Sequence, residues 1–398
     1  MTKKLKRNTC LLIDCGEETI QAHSISKKIS LQSISERQKL IEVYIKQVSN
    51  YRKKPFFQEI GINQATTSLC FCKKHDEIFN ELDKYGIRTF ENILYQLLRS
   101  MSILYNEEKN SLINIVNLKL SEKELINLLT ENIKSNPSLS DKNLSDMDIK
   151  EILNFIDIEE VLNSIEENNQ LNFGNKWNKE NLIFKELVAY VNILHDKYRM
   201  QNVEKNKLYV EDEIEIEESN YLLFFYIADF QIPVAVNAFN KFSIGDNLFN
   251  YYNIVVPLET ETIIICLLPK KVLNRTNVNF INKSFLDKLG VLNFVESIIA
   301  ANDGWYIKPS IINNMPENKK KILLEDCMFI NERKFYEPYD LSIFDDLRRE
   351  FSLELNSENE LNKISYIPKR KNFEDRHKNL LKFISKNEFN GCELILPE

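Results

Sequence analysis

The sequence predicts an α+β protein with a small cysteine-containing module at its N-terminal end, and two observations lead to this prediction. Four of the seven cysteines and two of the four histidines lie within 66 consecutive residues near the N-terminus. After Lys207, five short runs of β-branched or aromatic residues are bounded by Asn, Asp, Gly or Pro, as strands commonly are. We therefore predict the module with its following helix (1–108), a helical region (109–206) and a larger α+β domain (207–398).

A helix is predicted directly after the basic, turn-rich first 80 residues. Between Ile87 and Tyr105, apolar residues recur at steps of three and four, which is typical of an amphipathic helix. Thr89 is its candidate N-cap. The region that follows is acidic and rich in Asn, with a polar linker near residues 135–146. Its candidate helices are 118–134, 147–167 and 178–201.

The C-terminal domain is predicted to contain a mostly antiparallel sheet. Helical segments return after the strand-like runs, at 283–301 and 318–324, so helices and strands are not strictly alternating. The role of this domain does not follow from its sequence. Its strand-like runs are 208–210, 221–228, 232–236, 252–256 and 262–268.

The composition argues against a membrane or secreted protein. Hydrophobic residues make up 43% and charged residues 28% of the chain, as in globular proteins. The longest apolar candidate, 221–239, contains Asp229 and Pro233, so no transmembrane helix is predicted. The apolar stretch near the N-terminus is too short for a signal peptide. An odd number of cysteines in a long chain fits free thiols or metal ligands in the cytoplasm.

Motifs for nucleotide binding and for serine hydrolases are missing from the sequence. The eight glycines form neither a Gly-x-Gly-x-x-Gly nor a Gly-x-x-x-x-Gly-Lys-(Ser/Thr) pattern, so no nucleotide-binding loop is predicted. There is also no Gly-x-Ser-x-Gly nucleophile elbow.

Positive charge is concentrated at the N-terminal end, although the formal net charge is −7. Residues 1–80 contain 14 Lys and Arg against 8 Asp and Glu, whereas the other residues contain 38 against 51. We therefore expect an anionic partner, DNA or RNA, to meet the N-terminal module. The acidic remainder is a candidate surface for a protein partner.

Four residues have the types and the spacing of a structural zinc site: Cys10, Cys15, Cys72 and His75. A tetrahedral zinc ion is commonly held by two close pairs of Cys or His ligands, each presented by one tight turn. Cys70 is an alternative ligand, but the single residue between it and Cys72 favours a core thiol. The alternative interpretation is that all of these are ordinary buried cysteines beside a surface histidine.

The N-terminal residues also resemble the zinc-stapled HNH nucleases. The order of two cysteines, then Ala22-His23-Ser24-Ile25, then Leu69-Cys70-Phe71-Cys72-Lys73-Lys74-His75-Asp76 is similar to that family, in which a cysteine pair precedes a strand histidine and a second knuckle opens a helix. It also resembles uncharacterised bacterial proteins with an Ala-His-Ser-(Ile/Val)-Ser…Phe-Cys-x-x-His-Asp pattern. The resemblance covers about 80 residues, and it implies a metal-dependent nuclease fold.

The resemblance assigns roles to individual residues. His23 stands where the family keeps its general base, and Asp76 stands at the position of a metal-binding histidine. Asp76 is therefore a candidate ligand for Mg²⁺ or another divalent ion. The position of the middle asparagine is Thr67, which cannot supply an amide oxygen, although Asn63 lies nearby. In the alternative interpretation, His23 forms hydrogen bonds across the fold and Asp76 caps a helix.

A basic and aromatic stretch, Tyr44 to Phe57, lies between the two cysteine clusters and is expected to be a loop or an insert. Arg52, Lys53 and Lys54 are its candidate contacts to a phosphate backbone. A solvated loop with two aromatic residues folded into the core explains the same pattern equally well.

Two functions are therefore carried forward from the sequence. The first is a metal-dependent HNH-like nuclease, a layout that fits bacterial defence or a mobile element. The second is a non-catalytic, zinc-stapled scaffold that binds nucleic acid or protein.

Overall fold

The computed structural model describes residues 9–12, 15–49, 52–116, 126–127, 129–130, 145–154, 159, 201–216, 219–244, 247–333 and 336–388. Within these residues, helices are combined with an antiparallel eight-stranded sheet, and this confirms the predicted α+β class. The described strands are β1 (Ala22–His23), β2 (Lys39–Ser49), β3 (Arg52–Gly61), β4 (Thr67–Ser68), β5 (Leu208–Ile216), β6 (Ser219–Ala228), β7 (Val234–Ile244), β8 (Asn247–Pro257), β9 (Thr262–Pro269) and β10 (Trp305–Ile307).

The described α-helices range from 3 to 27 residues in length. In the N-terminal half they are α1 (Gln32–Ile34), α2 (Lys73–Asp76), α3 (Asn80–Tyr85), α4 (Phe90–Val116) and α5 (Asp146–Asn154). In the C-terminal half they are α6 (Arg275–Ser284), α7 (Lys288–Ala300), α8 (Pro309–Asn313), α9 (Glu317–Met328), α10 (Asp345–Glu354), α11 (Glu358–Ser365) and α12 (Phe373–Glu388).

The large sheet contains strands from both ends of the chain. Its order is β3-β2-β10-β7-β8-β9-β6-β5, and every neighbouring pair is antiparallel. The short strand β10 pairs with β2 on one side and with β7 on the other. The stretch from Tyr44 to Phe57 therefore lies in a β-hairpin inserted between β1 and β4. Of the two expectations, a loop or an insert, the insert is correct and the loop is wrong. Along β2 the apolar residues Ile41, Val43 and Ile45 alternate and pack in or against the core, so this strand is half-buried.

The compact units of the chain differ in their bounds from the three predicted parts. One unit comprises residues 8–104 and 186–398, and the other comprises residues 1–7 and 105–185. The N-terminal module falls in the same unit as the C-terminal strands because β2 and β3 pair into their sheet. In the second unit, the described residues include the end of α4 and helix α5, in which Ile149 is buried.

Several predicted elements are confirmed, and others cannot be compared. The helix after residue 87 is α4, and Thr89 caps it: the Asn92 amide donates to Thr89 Oγ1 (3.3 Å), and the Thr89 amide donates to Asn92 Oδ1 (3.1 Å). All five predicted strand runs lie in or overlap β5 to β9. The polar linker near 135–146 lies almost entirely outside the described residues, as do the candidate helices 118–134 and 178–201 apart from a few positions.

The two faces of the sheet have different coverings. One face packs against the C-terminal helices in a core that contains Trp305, Phe294 and Phe351, all buried. On the other face, the Asn237 side-chain amide of β7 donates to Ser24 Oγ (3.1 Å). Since Ser24 follows β1 directly, this face of the sheet holds the N-terminal module.

No helix in the described parts of the chain is long and apolar enough to cross a membrane.

The hydrogen bond between Asn237 and Ser24 can be tested by substitution. Ser24 is fully buried, so Ser24→Ala leaves the Asn237 amide without its partner and should lower the free energy of unfolding by about 1–3 kcal/mol. Urea denaturation measures this loss. Gln21→Ala is the matched control, because the exposed Gln21 also forms one side-chain hydrogen bond on the same strand segment. A double-mutant cycle with Asn237→Ala that gives no coupling energy would contradict the assignment.

Candidate metal centre

The first pair of candidate ligands lies on a turn held by backbone hydrogen bonds. Thr9 and Glu18 form an antiparallel bridge, and the Cys10 amide donates to the Glu17 carbonyl (3.0 Å). At the other side of the turn, the Cys15 amide donates to the Leu12 carbonyl (3.1 Å). These bonds bring Cys10 and Cys15 to the same end of the turn.

The second pair is presented by the first turn of helix α2. Cys72 precedes the helix, and its carbonyl accepts hydrogen bonds from the amides of His75 (3.0 Å) and Asp76 (2.9 Å). Residues three apart on a helix lie on the same face, so the Cys72 and His75 side chains point the same way. The first turn docks alongside, because the Leu11 amide donates to the Cys70 carbonyl (2.9 Å).

The four ligand atoms form one compact group, which we call the metal cluster: Cys10, Cys15, Cys72 and His75. All four atoms lie within 4.8 Å of one another. His75 Nδ1 is 3.3 Å from Cys10 Sγ and 3.4 Å from Cys72 Sγ, and the sulfurs of Cys15 and Cys72 are 3.9 Å apart. Ligands on a tetrahedral ion with metal–sulfur bonds of about 2.3 Å are about 3.8 Å apart (S···S) and about 3.5 Å apart (S···N). The cluster therefore has the dimensions of a metal-binding site.

The residue types of the cluster suit a divalent cation, because cysteine sulfur and imidazole nitrogen are common metal ligands. Burial raises the pKa of the Cys10 thiol to about 11, although backbone groups of Cys72 and Leu12 partly oppose this. A divalent cation stabilises the thiolates and displaces their protons. A groove of about 930 Å³ borders Cys15, Cys72 and His75, so an ion can reach the cluster from solvent.

Cys70, the alternative ligand, is outside the cluster. It is buried, and its thiol donates to Ser68 Oγ (3.3 Å). It is a core thiol at the start of the second knuckle, as its one-residue separation from Cys72 suggests.

His23 and Thr67 face each other across a second, two-stranded sheet. Strand β1 pairs antiparallel with β4 in the register His23 to Thr67 and Ala22 to Ser68. Helix α2 follows β4 after four residues, so two paired strands lead into the knuckle and its helix. Thr67 does not orient His23: its hydroxyl donates to the Gln64 carbonyl (2.8 Å) and accepts from Gln21 (3.1 Å).

A backbone carbonyl orients the His23 ring. His23 Nε2 lies 2.9 Å from the Ile62 carbonyl oxygen, which can only accept, so Nε2 carries the proton. Burial is the main cause that lowers the pKa of His23 below its ordinary 6.5, and the Ile62 carbonyl opposes it. Arg99 and Lys27 lower the pKa further. The ring is therefore neutral near pH 7, with an unprotonated Nδ1.

Asp76 lies beside a buried arginine. The pKa of Asp76 is raised above its ordinary value mainly by burial and also by Asp83, and Arg99 and His23 partly oppose this. Asp76 Oδ1 is 3.9 Å from an Arg99 nitrogen and, among the described residues, has no hydrogen-bond partner. Arg99 is 4% exposed, pairs with both carboxylate oxygens of Asp83 (2.9 and 3.2 Å) and lies 5.0 Å from the centre of the Phe79 ring.

The predicted nucleic-acid contacts Arg52, Lys53 and Lys54 lie at the start of β3 in the large sheet, whereas the residues of the metal cluster lie outside both sheets. Lys54 is exposed and lies opposite Lys46 of β2. Strand β3 ends at Gly61, and the next residue is Ile62, the partner of His23. The hairpin is thus continuous with the carbonyl that orients the histidine.

Three residues that support the candidate site were missed by the sequence analysis. Gln96 Nε2 donates to the Ser24 carbonyl (2.8 Å), Asn237 holds the Ser24 hydroxyl, and Arg99 interacts with Asp76. Gln96 and Arg99 lie on the buried side of helix α4. Polar residues on the apolar face of a predicted helix need buried hydrogen-bond partners, and this pattern could have identified both residues from the sequence. Asn237 is more than 200 residues from its partner, so its sequence carried no such signal.

Comparison with known proteins identifies no relative. No protein-family model matches the sequence, and neither a curated protein nor a solved structure is significantly similar to it.

The ligand assignment predicts opposite results for two neighbouring cysteines. Purified wild-type protein should contain one metal ion per chain, and Cys72→Ser should lose it or bind it at least tenfold more weakly. Cys70→Ser should keep the ion, because the Cys70 thiol bonds to Ser68 instead. Elemental analysis with chelator competition measures both. Equal metal loss in the two variants, or a wild-type protein without bound metal, would refute the assignment.

Proposed function

We propose that the N-terminal module is the catalytic part of a zinc-stapled, metal-dependent nuclease of the HNH type. The observation that carries this proposal is the position of His23. It lies on a strand whose antiparallel partner leads into the metal-binding knuckle and helix α2, and its ring is neutral and oriented by the Ile62 carbonyl.

Zinc is the ion that we assign to the metal cluster. Three thiolates and one imidazole are a common donor set of structural zinc sites. Four protein ligands complete a tetrahedral shell, so the ion would stabilise the fold and would not bind substrate. Zinc would keep the turn that carries Cys10 joined to the start of α2.

His23 is the proposed general base. Its Nε2 proton is bound to the Ile62 carbonyl, so Nδ1 is the nitrogen that can accept a proton from water. In the proposed reaction the water oxygen forms a bond to phosphorus and its proton passes to Nδ1. The bond from phosphorus to the leaving oxygen breaks, and that oxygen keeps the electron pair and takes a proton from solvent. The lowered pKa of His23 keeps the base form populated at neutral pH.

Asp76 is the proposed ligand of a second, catalytic divalent ion such as Mg²⁺. Its Oδ1 is shielded from solvent without a hydrogen-bond partner among the described residues, and a carboxylate oxygen suits a hard cation. When bound, such an ion supplies charge stabilisation at the phosphate. Among the described residues, Asp76 is not part of a group of three or more potential metal ligands. The other ligands of the ion would therefore be substrate phosphate and water.

One observation favours the second candidate function, a non-catalytic zinc-stapled scaffold that binds nucleic acid. Arg99 is a buried cation 3.9 Å from Asp76, and it disfavours a divalent ion at the same carboxylate. In this scaffold His23 would serve only as a hydrogen-bond donor across the fold to the Ile62 carbonyl. Both candidates use the same metal cluster, and they differ in whether phosphodiester bonds are cut.

A cleavage assay separates the two candidates. Wild-type protein with Mg²⁺, Mn²⁺ or Ni²⁺ should cut plasmid DNA, single-stranded DNA or RNA, and His23→Ala should reduce the rate at least 100-fold, because general-base catalysis typically contributes that much. Gel analysis of the products measures the rate.

Two controls accompany the assay. His23→Ala should keep its bound zinc, because His23 is not in the metal cluster, and Gln21→Ala on the neighbouring exposed position should keep full activity. If the wild-type protein leaves all three substrates intact with every ion, the catalytic proposal is wrong and the scaffold remains.

A further inference from the structure

The outer part of the β2–β3 hairpin has an aromatic pair next to a lysine pair on one face. Tyr44 lies opposite Phe56, and Lys46 lies opposite Lys54. The two rings are 5.1 Å apart at 63°, and Tyr44 is 45% exposed. Both lysines are exposed. We call these four residues the hairpin face.

This arrangement is unfavourable for the isolated protein. Like charges directly opposite each other on antiparallel strands are destabilising, and Lys46 and Lys54 are such a pair. Tyr44 leaves nearly half of its surface in water. A partner that combines negative charge with flat apolar groups would remove both costs.

The register of the sheet places the hairpin face on the side that holds the N-terminal module. Tyr306 of β10 pairs with Glu42 on one side and with Ala235 on the other, so these three side chains share one face. Tyr44 is two residues after Glu42, and Asn237 is two residues after Ala235, so both project from that face as well. Asn237 donates to Ser24, the residue after His23.

The hairpin face is also within reach of His23 along β3. Ile62 lies six residues after Phe56, which corresponds to about 20 Å along an extended strand. The Ile62 carbonyl binds His23. A stacked strand with a rise of about 3.4 Å per nucleotide would need about six nucleotides to connect the two.

We propose that the hairpin face binds single-stranded nucleic acid and directs it along β3 towards His23. The inference rests on the proposed function for its partner class. A single strand is favoured over a duplex because its bases are free to stack on Tyr44 and Phe56 while Lys46 and Lys54 contact phosphates. In a duplex the bases are already stacked on one another and cannot pack on the rings.

Binding of labelled 20-nucleotide oligo(dT), oligo(rU) and a 20-base-pair DNA duplex tests the proposal. Fluorescence anisotropy without added Mg²⁺ should give tighter binding of at least one single strand than of the duplex. Tyr44→Leu combined with Phe56→Leu should weaken single-strand binding at least fivefold, since each stacked base contributes at least that factor.

The lysines give a second, independent readout. Lys46→Gln combined with Lys54→Gln should reduce the slope of log affinity against log salt by about 1.4, because each phosphate contact on a single strand contributes about 0.7. Tyr44→Phe keeps the ring and should bind like the wild type. This conservative variant shows that the ring and not the hydroxyl group is needed, and equal urea midpoints of the leucine variant and the wild type separate lost stacking from a misfolded hairpin.

Matched controls lie on a distant, exposed segment. Tyr366→Leu and the pair Lys369→Gln with Lys371→Gln remove the same groups from exposed positions after α11, and binding should not change. The proposal is overturned if the duplex binds as tightly as both single strands, if no single strand binds, or if the hairpin variants and these controls behave alike. Intact single-strand binding without cleavage would contradict only the nuclease proposal.

Discussion

The metal cluster is the constraint on which the N-terminal module depends. Its ligands come from two turns, and Cys15 and Cys72 are 57 residues apart. Closing a loop of that length costs roughly 4 kcal/mol of chain entropy, whereas structural zinc sites contribute roughly 10–16 kcal/mol of apparent binding free energy. A zinc ion bound at these residues would therefore outweigh the closure cost. It would also hold together the turns next to β1 and β4, whose pairing places His23 opposite Thr67.

The insert between β1 and β4 joins the module to the rest of its compact unit. It forms β2 and β3, which extend the sheet, and it ends next to Ile62, whose carbonyl binds His23.

The charge of Arg99 affects the proposed binding of a catalytic ion at Asp76. Two unit charges 4 Å apart interact by about 4 kcal/mol at an effective dielectric constant of 20, so Arg99 strongly opposes a divalent ion at Asp76. Such an ion would bind more favourably together with an anionic phosphate than alone.

Spacing and residue type predicted the ligands, whereas the supporting contacts depend on the tertiary fold. A Cys-x-x-His pair at the start of a helix and a pair of cysteines on a turn are local features, and the side chains of all four candidate ligands lie together in the structure. The antiparallel sheet was predictable from β-branched runs such as those of β6 and β9. The strand character of Tyr44 to Phe57 was missed because the stretch was interpreted from its position between the two cysteine clusters, although apolar residues alternate at Ile41, Val43 and Ile45. The contacts of Gln96, Asn237 and Arg99 join distant segments, and no local pattern predicts such pairs.

The most direct test of the central claim is X-ray absorption spectroscopy at the zinc edge of the purified protein. The account predicts one four-coordinate zinc ion with three sulfur ligands at about 2.3 Å and one nitrogen ligand at about 2.0 Å. Substituting Cys10 with Ser should remove one sulfur from the shell or abolish binding. A first shell dominated by oxygen, or a shell that is unchanged in the Cys10→Ser variant, would contradict it.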